Sequence, residues 1–191
     1  MEEIKMIPNT PKHVALIPDG NRRWAKQTGK TSAQGHYRGY ESVKEIISAA
    51  KELRISFFTL WAFSTENWKR DENEVIDLMT LIEKGLSELH EEALSKKYRL
   101  VHIGRRDRLS ESLINLIDSV EKQTSGNSLF TLCIALDYGG EDELQRASLR
   151  MKEKGEMRAI SSFLDTTQFG IPPVDCVIRT GGEKRTSGFM P

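Results

Sequence analysis

The chain has 191 residues, and its 28 lysines and arginines balance its 28 aspartates and glutamates, so its formal net charge is zero. This length is sufficient for one substantial domain with a buried core. Because general nucleic-acid binding requires a basic excess, the composition predicts no nucleic-acid partner, and any attraction for anions must come from local clusters.

The N-terminus and the cysteines indicate a cytoplasmic protein. The first twelve residues, MEEIKMIPNTPK, lack the apolar region of a secretory signal peptide, and no window holds the ~18 consecutive apolar residues of a membrane span. Residues 1–12 are expected to form a flexible N-terminus. Cys133 and Cys176 both lie in apolar runs, which predicts two buried thiols that form neither a disulfide nor a zinc site.

Taken in chain order, short apolar runs alternate with longer amphipathic stretches. The apolar runs predict strands over residues 13–17, 55–63, 98–104, 129–137 and 174–180. The amphipathic stretches predict helices over residues 39–54, 71–97, 108–124 and 141–153. Since this alternation implies βαβ units, the predicted fold class is α/β: a single-domain parallel β-sheet over residues 1–191, flanked by helices.

Polar clusters follow three of the predicted strands. They are PDGNRRW at 18–24, STENWKR at 64–70 and RTGGEKRTS at 179–187. Ligands of open parallel sheets bind at the carboxyl ends of the strands, where all three clusters fall. We therefore expect one pocket that contains both acids and arginines.

The first cluster combines an acid with groups that favour anions. Gly20 allows close approach of a ligand to the backbone, and Arg22 and Arg23 can each fork onto phosphate oxygens. Asp19 would repel a phosphate unless a divalent metal lay between them, and Mg²⁺ takes one or two carboxylates plus phosphate oxygens. The alternative is a solvated Asp-Gly turn with exposed arginines.

Each of the other two clusters also allows two interpretations. Arg179 and Arg185 flank two glycines, which indicates a second anion-binding loop, although surface arginines beside a turn would give the same pattern. The cluster at 64–70 offers a hydroxyl, a carboxylate and an amide. Its alternative is a helix start, with Ser64 or Thr65 as the N-cap and Glu66 in the first turn.

The segments HVALIPDGNRRWA, GH at 35–36, TLWAFSTENWKR, ALDYGG and DCVIRTGGEKRTSGF occur in an order that resembles the cis-prenyltransferases, the undecaprenyl diphosphate synthase family. The resemblance spans residues 13–189. It implies a Mg²⁺-dependent enzyme that condenses isopentenyl diphosphate onto an allylic diphosphate such as farnesyl diphosphate, giving a polyprenyl diphosphate for a lipid carrier. It also implies an apolar tunnel for the growing chain, a homodimer, and transient contact with the membrane surface on product release.

The resemblance also implies roles for individual positions. Asp19 is implied to bind Mg²⁺ and to be essential for catalysis, and Asn67 is implied to be the catalytic proton acceptor. The positions implied to bind substrate are Gly20, Asn21, Arg22, Arg23, Trp24, Ser32, His36, Ser64, Thr65, Glu66, Trp68, Arg70, Arg179, Arg185, Thr186 and Ser187. Apolar positions such as Val43, Ile47, Leu86 and Leu89 pack the core or line the tunnel, and Ala62 is a candidate lining residue.

Three features depart from the family pattern. Ser32 stands where an arginine is usual, and Glu141 stands where an arginine commonly follows the two glycines. The family continues past the RTSGF segment with a metal-binding glutamate, a last strand and a dimer-forming helix. We therefore expect a C-terminally incomplete domain, and the alternative function is a catalytically impaired fragment or a non-catalytic partner subunit. A nucleotide phosphohydrolase on a similar sheet is a third interpretation.

Overall fold

A computed structural model of the protein describes residues 10–191. Its strands are β1 (His13–Ile17), β2 (Phe57–Ser64), β3 (Arg99–Ile103), β4 (Thr131–Tyr138) and β5 (Cys176–Arg179). They form one sheet in the order β3-β4-β2-β1-β5, and every neighbouring pair is parallel. The predicted α/β fold with a parallel sheet is confirmed.

Helices connect the strands, and three of them pack against one face of the sheet. They are α1 (Asn21–Gln27), α2 (Ser32–Glu52), α3 (Glu72–Lys96), α4 (Glu111–Thr124), α5 (Gly140–Lys154) and α6 (Asp165–Gln168), with 3-10 turns at Asn67–Lys69 and Ile160–Phe163. None of the helices between residues 10 and 191 is long and apolar enough to cross a membrane.

The predicted start of α2 at residue 39 is wrong by seven residues. Thr31 and Gln34 form a capping box, in which Thr31 Oγ1 accepts a hydrogen bond from Gln34 N at 3.2 Å and Gln34 Oε1 accepts one from Thr31 N at 3.0 Å. This reciprocal cap satisfies two free N–H groups and starts the helix early. The segment before residue 39 lacks a continuous apolar stripe, so its periodicity did not predict a helix.

The side chains of β1 alternate between two apolar clusters, as the period of a strand requires. Val14 and Leu16 belong to the larger cluster, which also contains buried residues of α2, α3 and α4. Ala15 and Ile17 belong to the smaller cluster on the opposite face. β1 is buried over its whole length, so its carboxyl end is held rigidly for the turn that follows.

The two cysteines differ in burial. Cys133 on β4 is buried, and burial raises the pKa of its thiol far above the ordinary value. Cys176 is exposed, because β5 pairs with β1 alone in the described part of the chain and therefore lies at an edge. The prediction of two buried thiols is wrong for Cys176, although both thiols are unpaired as expected.

The start of the described chain is tied to β5. Asp175 Oδ2 accepts hydrogen bonds from Lys12 N at 2.7 Å and His13 N at 3.0 Å. The rest of the predicted flexible N-terminus, residues 1–9, lies outside the described residues.

Candidate active site

Asp19 and Arg179 meet at the carboxyl edge of the sheet, after β1 and at the end of β5. Arg179 donates to Asp19 Oδ2 from Nε at 3.0 Å and from Nη2 at 2.7 Å, and Gly20 N donates to Asp19 Oδ1 at 2.7 Å. Burial raises the pKa of Asp19, but the hydrogen bonds from Arg179 and Gly20 and the charges of Arg179 and Arg23 outweigh it, so the pKa lies below its ordinary value. Asp19 is therefore an ionised carboxylate at neutral pH.

The turns after β1 and β5 touch backbone to backbone. Gly20 and Gly181 both have positive φ, at 99° and 81°. A Cβ atom built on Gly20 would lie 3.1 Å from Gly181 Cα, and one on Gly181 would lie 3.0 Å from the carbonyl of Asp19. Arg23 Nη1 donates to Gly181 O at 2.7 Å and closes the contact. The glycines thus bring the two predicted anion-binding loops together, besides leaving their backbone open to a ligand.

Arg179 also orders the loop that follows it. Its Nη1 donates to Arg185 O and to Ser187 Oγ, each at 2.7 Å. The Arg185 side chain is 69% exposed and pairs with Glu183 at 3.3 Å. Arg185 is therefore free to turn toward a ligand, whereas Arg179 is held between two loops.

Glu74 on α3 forms ion pairs with three of the predicted site residues, although it lies in none of the sequence motifs. Its carboxylate pairs with Arg70 at 2.9 Å, with His36 at 3.2 Å and with Arg22 at 3.5 Å. Burial raises the pKa of Glu74, but His36 and the two arginines bring it below the ordinary value. The Glu74 carboxylate thereby holds together one side chain from α1, one from α2 and one from the turn before α3.

The pKa of His36 lies below its ordinary value. Burial is the largest cause, and the charges of Arg70 and Arg22 add to it, while Glu74 opposes it. His36 is therefore neutral at pH 7, and it can offer a hydrogen bond to an anion but no charge.

The turn after β2 is shaped by Asn67. Asn67 Oδ1 accepts a hydrogen bond from Ser64 N at 3.1 Å. The expectation that Ser64 or Thr65 caps a helix is wrong, because the N-cap of the short 3-10 turn is Glu66, without a side-chain bond, and α3 is capped by Asp71. Ser64 and Thr65 therefore remain available to a ligand.

One cavity of about 820 Å³ joins these loops to the apolar core. Its polar end is lined by residues of the three predicted clusters and by His36: Asp19, Gly20, Asn21, Arg22, Arg23, His36, Ser64, Thr65, Glu66, Asn67, Arg70, Arg179, Arg185 and Ser187. The apolar lining includes Ala62 and the residues Val43, Ile47, Leu86 and Leu89, all four of which are buried in the larger core cluster. These four residues therefore belong to the core and also line the cavity, which is consistent with the expected tunnel.

Four residues implied to bind substrate are not among the described residues that line this cavity: Trp24, Ser32, Trp68 and Thr186. Trp24 is partly exposed and borders a separate groove with Tyr37 and Lys84. Ser32 is the first residue of α2, and the family's usual arginine has no counterpart there. Glu141, the other departure, does line the cavity and brings a negative charge to its polar end.

The residues that the structure describes contain no group of three or more histidine, cysteine or acidic side chains placed to hold a metal. Asp19 offers a single ionised carboxylate, already bonded on both oxygens. Such a set fits Mg²⁺, which is commonly bound by one or two carboxylates together with substrate phosphates rather than by a cage of protein ligands.

Comparison with known families accounts for this combination of loops and cavity. A prenyltransferase family model described as "Putative undecaprenyl diphosphate synthase" matches residues 17–191. The chain belongs to this family. The isoprenyl transferases of Agrobacterium fabrum and Aquifex aeolicus are each 44% identical to it, over 94% of this chain and 76% and 79% of their own.

Two solved structures of diphosphate synthases superpose on this chain. Lavandulyl diphosphate synthase from Lavandula x intermedia, in complex with dimethylallyl diphosphate, superposes with a TM-score of 0.88 at 34% identity, covering 95% of this chain and 82% of its own. A chain described as a probable undecaprenyl diphosphate synthase from Campylobacter jejuni gives 0.78 at 31% identity, with 95% and 80% covered. The predicted family is confirmed, and the chain is a prenyltransferase in fold and sequence.

Proposed function

We propose that the protein elongates prenyl chains by condensing isopentenyl diphosphate onto an allylic diphosphate such as farnesyl diphosphate. The single observation that carries the proposal is the cavity that runs from a cluster of arginines into the apolar core. A prenyl diphosphate has the same two parts, an anionic head and an apolar chain. The similarity of the chain to isoprenyl transferases supports the same activity.

In the proposed reaction the C1–O bond of the allylic diphosphate breaks, C1 bonds to C4 of isopentenyl diphosphate, and a proton leaves C2. The products are the longer prenyl diphosphate and free diphosphate. Charge grows on the leaving diphosphate, and preorganised donors stabilise it. Arg22 and Arg23, which line the polar end of the cavity, and the backbone N–H groups at the start of α1 are the donors proposed for that task.

Arg179, Arg185 and Ser187 form the proposed site for isopentenyl diphosphate, with Thr186 as a neighbour. Asn67, which also lines the cavity, is the proposed acceptor for the departing proton. An amide is a weak base, so a phosphate oxygen of the substrate would share that proton.

Asp19 is the residue proposed to hold Mg²⁺ together with substrate phosphates. When bound, the metal would neutralise charge on the leaving diphosphate. Within the protein, the low pKa of Asp19 keeps its carboxylate charged for this purpose, and Arg179 and Gly20 fix its orientation.

We further propose that the product is a polyprenyl diphosphate for a lipid carrier, of the undecaprenyl class, that the protein works in the cytoplasm, and that it touches the membrane surface transiently on release. A homodimer is also proposed, by resemblance to the family.

The test is incorporation of labelled isopentenyl diphosphate into butanol-extractable product by purified protein with farnesyl diphosphate and Mg²⁺. We expect a labelled polyprenyl product, and Asp19→Ala should lower turnover by at least about a thousandfold, because it removes the metal carboxylate and the partner of Arg179. Asp107→Ala is the matched control, since Asp107 also pairs with an arginine but lies on an exposed turn.

Turnover that survives in the Asp19→Ala variant would contradict the metal role. A folded wild-type protein that incorporates no label would instead indicate a non-catalytic partner subunit or an impaired fragment. A stable complex with a second prenyltransferase chain, seen by gel filtration, would then favour the partner.

A further inference from the structure

Trp68 immediately follows the proposed proton acceptor Asn67, yet its side chain points into the protein. Its ring packs edge-on against Phe63, with centroids 5.1 Å apart. Its indole Nε1 donates to Asp137 Oδ1 at 2.9 Å. Trp68 is outside the described cavity lining, whereas Asn67 and Arg70 on either side of it belong to that lining. Whatever Trp68 contributes to the reaction must therefore act through its neighbours.

Asp137, at the end of β4, is fully buried. Arg108 binds it twice: Nε donates to Oδ2 at 2.9 Å, and Nη2 donates to Oδ1. The same guanidinium lies 5.5 Å from the centre of the Trp68 ring. A buried carboxylate requires such partners, and here they fix its position opposite the indole.

The backbone at Asp137 is also held in an uncommon conformation. Asp137 has a φ of +50°, in the left-handed region. Arg105 N donates to Asp137 O at 3.0 Å, and Gly104 packs so closely that a Cβ there would lie 2.2 Å from Leu136 O. Aspartate adopts this conformation more readily than most side chains, and these contacts hold it there. Here the left-handed residue interrupts the pairing of β4 with β2, between the pairs Leu136–Phe63 and Tyr138–Ser64, and its carboxylate accepts the indole hydrogen bond of Trp68.

We propose that Asp137 and Arg108 are positioning residues, which hold Trp68 so that the turn after β2 presents Asn67 to the substrate. The bond from Ser64 N to Asn67 Oδ1 completes the turn on its other side. The inference rests on the proposed function for its effect on catalysis, but the anchoring of Trp68 can be measured without any substrate.

The first readout is the hydrogen-exchange rate of the Trp68 indole N–H, measured by NMR on ¹⁵N-tryptophan-labelled protein. The indole signal of Trp68 is identified by its absence in Trp68→Phe. We expect slow exchange in the wild-type protein, at least about tenfold faster exchange in Asp137→Ala, and near wild-type exchange in Asp137→Asn. Asparagine keeps an acceptor oxygen and tolerates the left-handed conformation, so it is the conservative rescue.

The second readout is kinetic. Asp137→Ala should lower kcat about ten- to a hundredfold through misplacement of Asn67, while KM for both diphosphates stays within about threefold. Trp68→Phe should cause a similar loss, and the double variant Trp68→Phe/Asp137→Ala should lose little more than either single variant, because both changes break one unit.

Glu92→Ala is the matched control. Glu92 accepts a hydrogen bond from the Tyr98 hydroxyl and pairs with Lys51, whose Nζ lies 4.9 Å from the Tyr98 ring centre. It thus repeats the arrangement of acid, cation and aromatic ring on side chains outside the cavity lining. We expect kcat and the exchange of the Trp68 indole to stay unchanged in Glu92→Ala.

Unchanged indole exchange or unchanged kcat in folded Asp137→Ala, or additive losses in the double variant, would overturn the proposal. If Asp137→Ala does not fold, Asp137→Gly replaces it, because glycine suits the left-handed backbone and the partly exposed Arg108 can be hydrated in place of its lost partner, and the same outcomes decide. If the wild-type protein has no activity, the proposed function fails, and the exchange data alone still decide whether Asp137 anchors Trp68.

Discussion

At the scale of single residues, two carboxylates organise the polar end of the cavity. Asp19 collects Arg179 and the N–H of Gly20, while Glu74 collects Arg22, His36 and Arg70. The sequence motifs predicted Asp19 because it stands among glycines and arginines. They did not predict Glu74, which lies within a long amphipathic helix where an acid is usually a solvated surface residue. The i,i+4 spacing of Arg70 and Glu74 could have suggested one pair, but Arg22 and His36 come from distant segments that no spacing rule joins to Glu74.

A buried histidine gives a prediction for pH. Burial of His102 lowers its pKa from 6.5 to about 4, with smaller opposing contributions from Leu136 O and Asp165 and supporting ones from Arg106 and Arg146. Between pH 6.5 and about 4, His102 is therefore protonated in the unfolded chain but stays neutral in the native protein. The contribution of neutral His102 to stability is therefore fully present above pH 6.5 and lost as the pH falls toward 4.

We expect wild-type stability to fall between pH 6.5 and 4.5 more steeply than that of His102→Gln, by about 1.4 kcal/mol per pH unit. Urea unfolding of both proteins across this range measures the difference. Parallel slopes would mean that His102 takes its proton in the native state.

At the scale of secondary-structure elements, the turns after β1, β2 and β5 carry the polar residues of the cavity. Ion pairs from Glu74 on α3 hold residues of α1, of α2 and of the turn before α3 together. The strand positions were predicted to within a few residues, because buried parallel strands are continuous apolar runs. The bounds of α1 and the short helices at 160–168 were not predicted, since such short segments carry little periodicity. The exposure of Cys176 followed from the strand order, and strand order is set by contacts between distant segments.

The packing of α1 on α2 gives a second prediction. A Cβ on Gly35 of α2 would lie 2.5 Å from Asn21 O and 2.9 Å from the Cβ of Ala25. Glycine to alanine within a helix ordinarily stabilises by about 1 kcal/mol. Here we expect Gly35→Ala to lower the free energy of unfolding by about 1–3 kcal/mol through overpacking, and to lower activity by displacing the arginines of α1.

Gly126→Ala is the matched control, because a Cβ at Gly126 meets nothing within 4 Å. Urea unfolding and turnover of both variants measure the effects. If Gly35→Ala proved as stable as the wild-type protein, α2 would have shifted away from α1 at no cost.

At the scale of the whole molecule, core residues also line the cavity that is proposed to hold the growing prenyl chain. The motif order was sufficient to predict the family and the edge of the sheet where the site lies. Product length could not be predicted, because it depends on the packing of side chains such as Leu86, Leu89 and Ala62 around a shared space. Packing of that kind is determined only in the folded chain.

Ala62→Leu should therefore shorten the product. The larger side chain takes volume from the cavity beside Trp61, so chain growth stops after fewer condensations, while the first condensation proceeds at close to the wild-type rate. Chromatography of dephosphorylated products measures the length distribution. Ala159→Leu, on an exposed segment, is the control, and an unchanged distribution in Ala62→Leu would place the growing chain elsewhere.

The ion pair between Asp19 and Arg179 joins residues 160 positions apart in the chain. During synthesis, Asp19 leaves the ribosome long before Arg179 is added, and α1, α2 and α3 can form while the loop after β5 has not yet been made. Contacts of such wide sequence separation form slowly, because a long loop must close before they stabilise anything. The polar end of the cavity is therefore complete only when β5 pairs with β1, and a nascent chain that ends before residue 176 has the apolar lining from α2 and α3 without the second loop, which Arg179 orders.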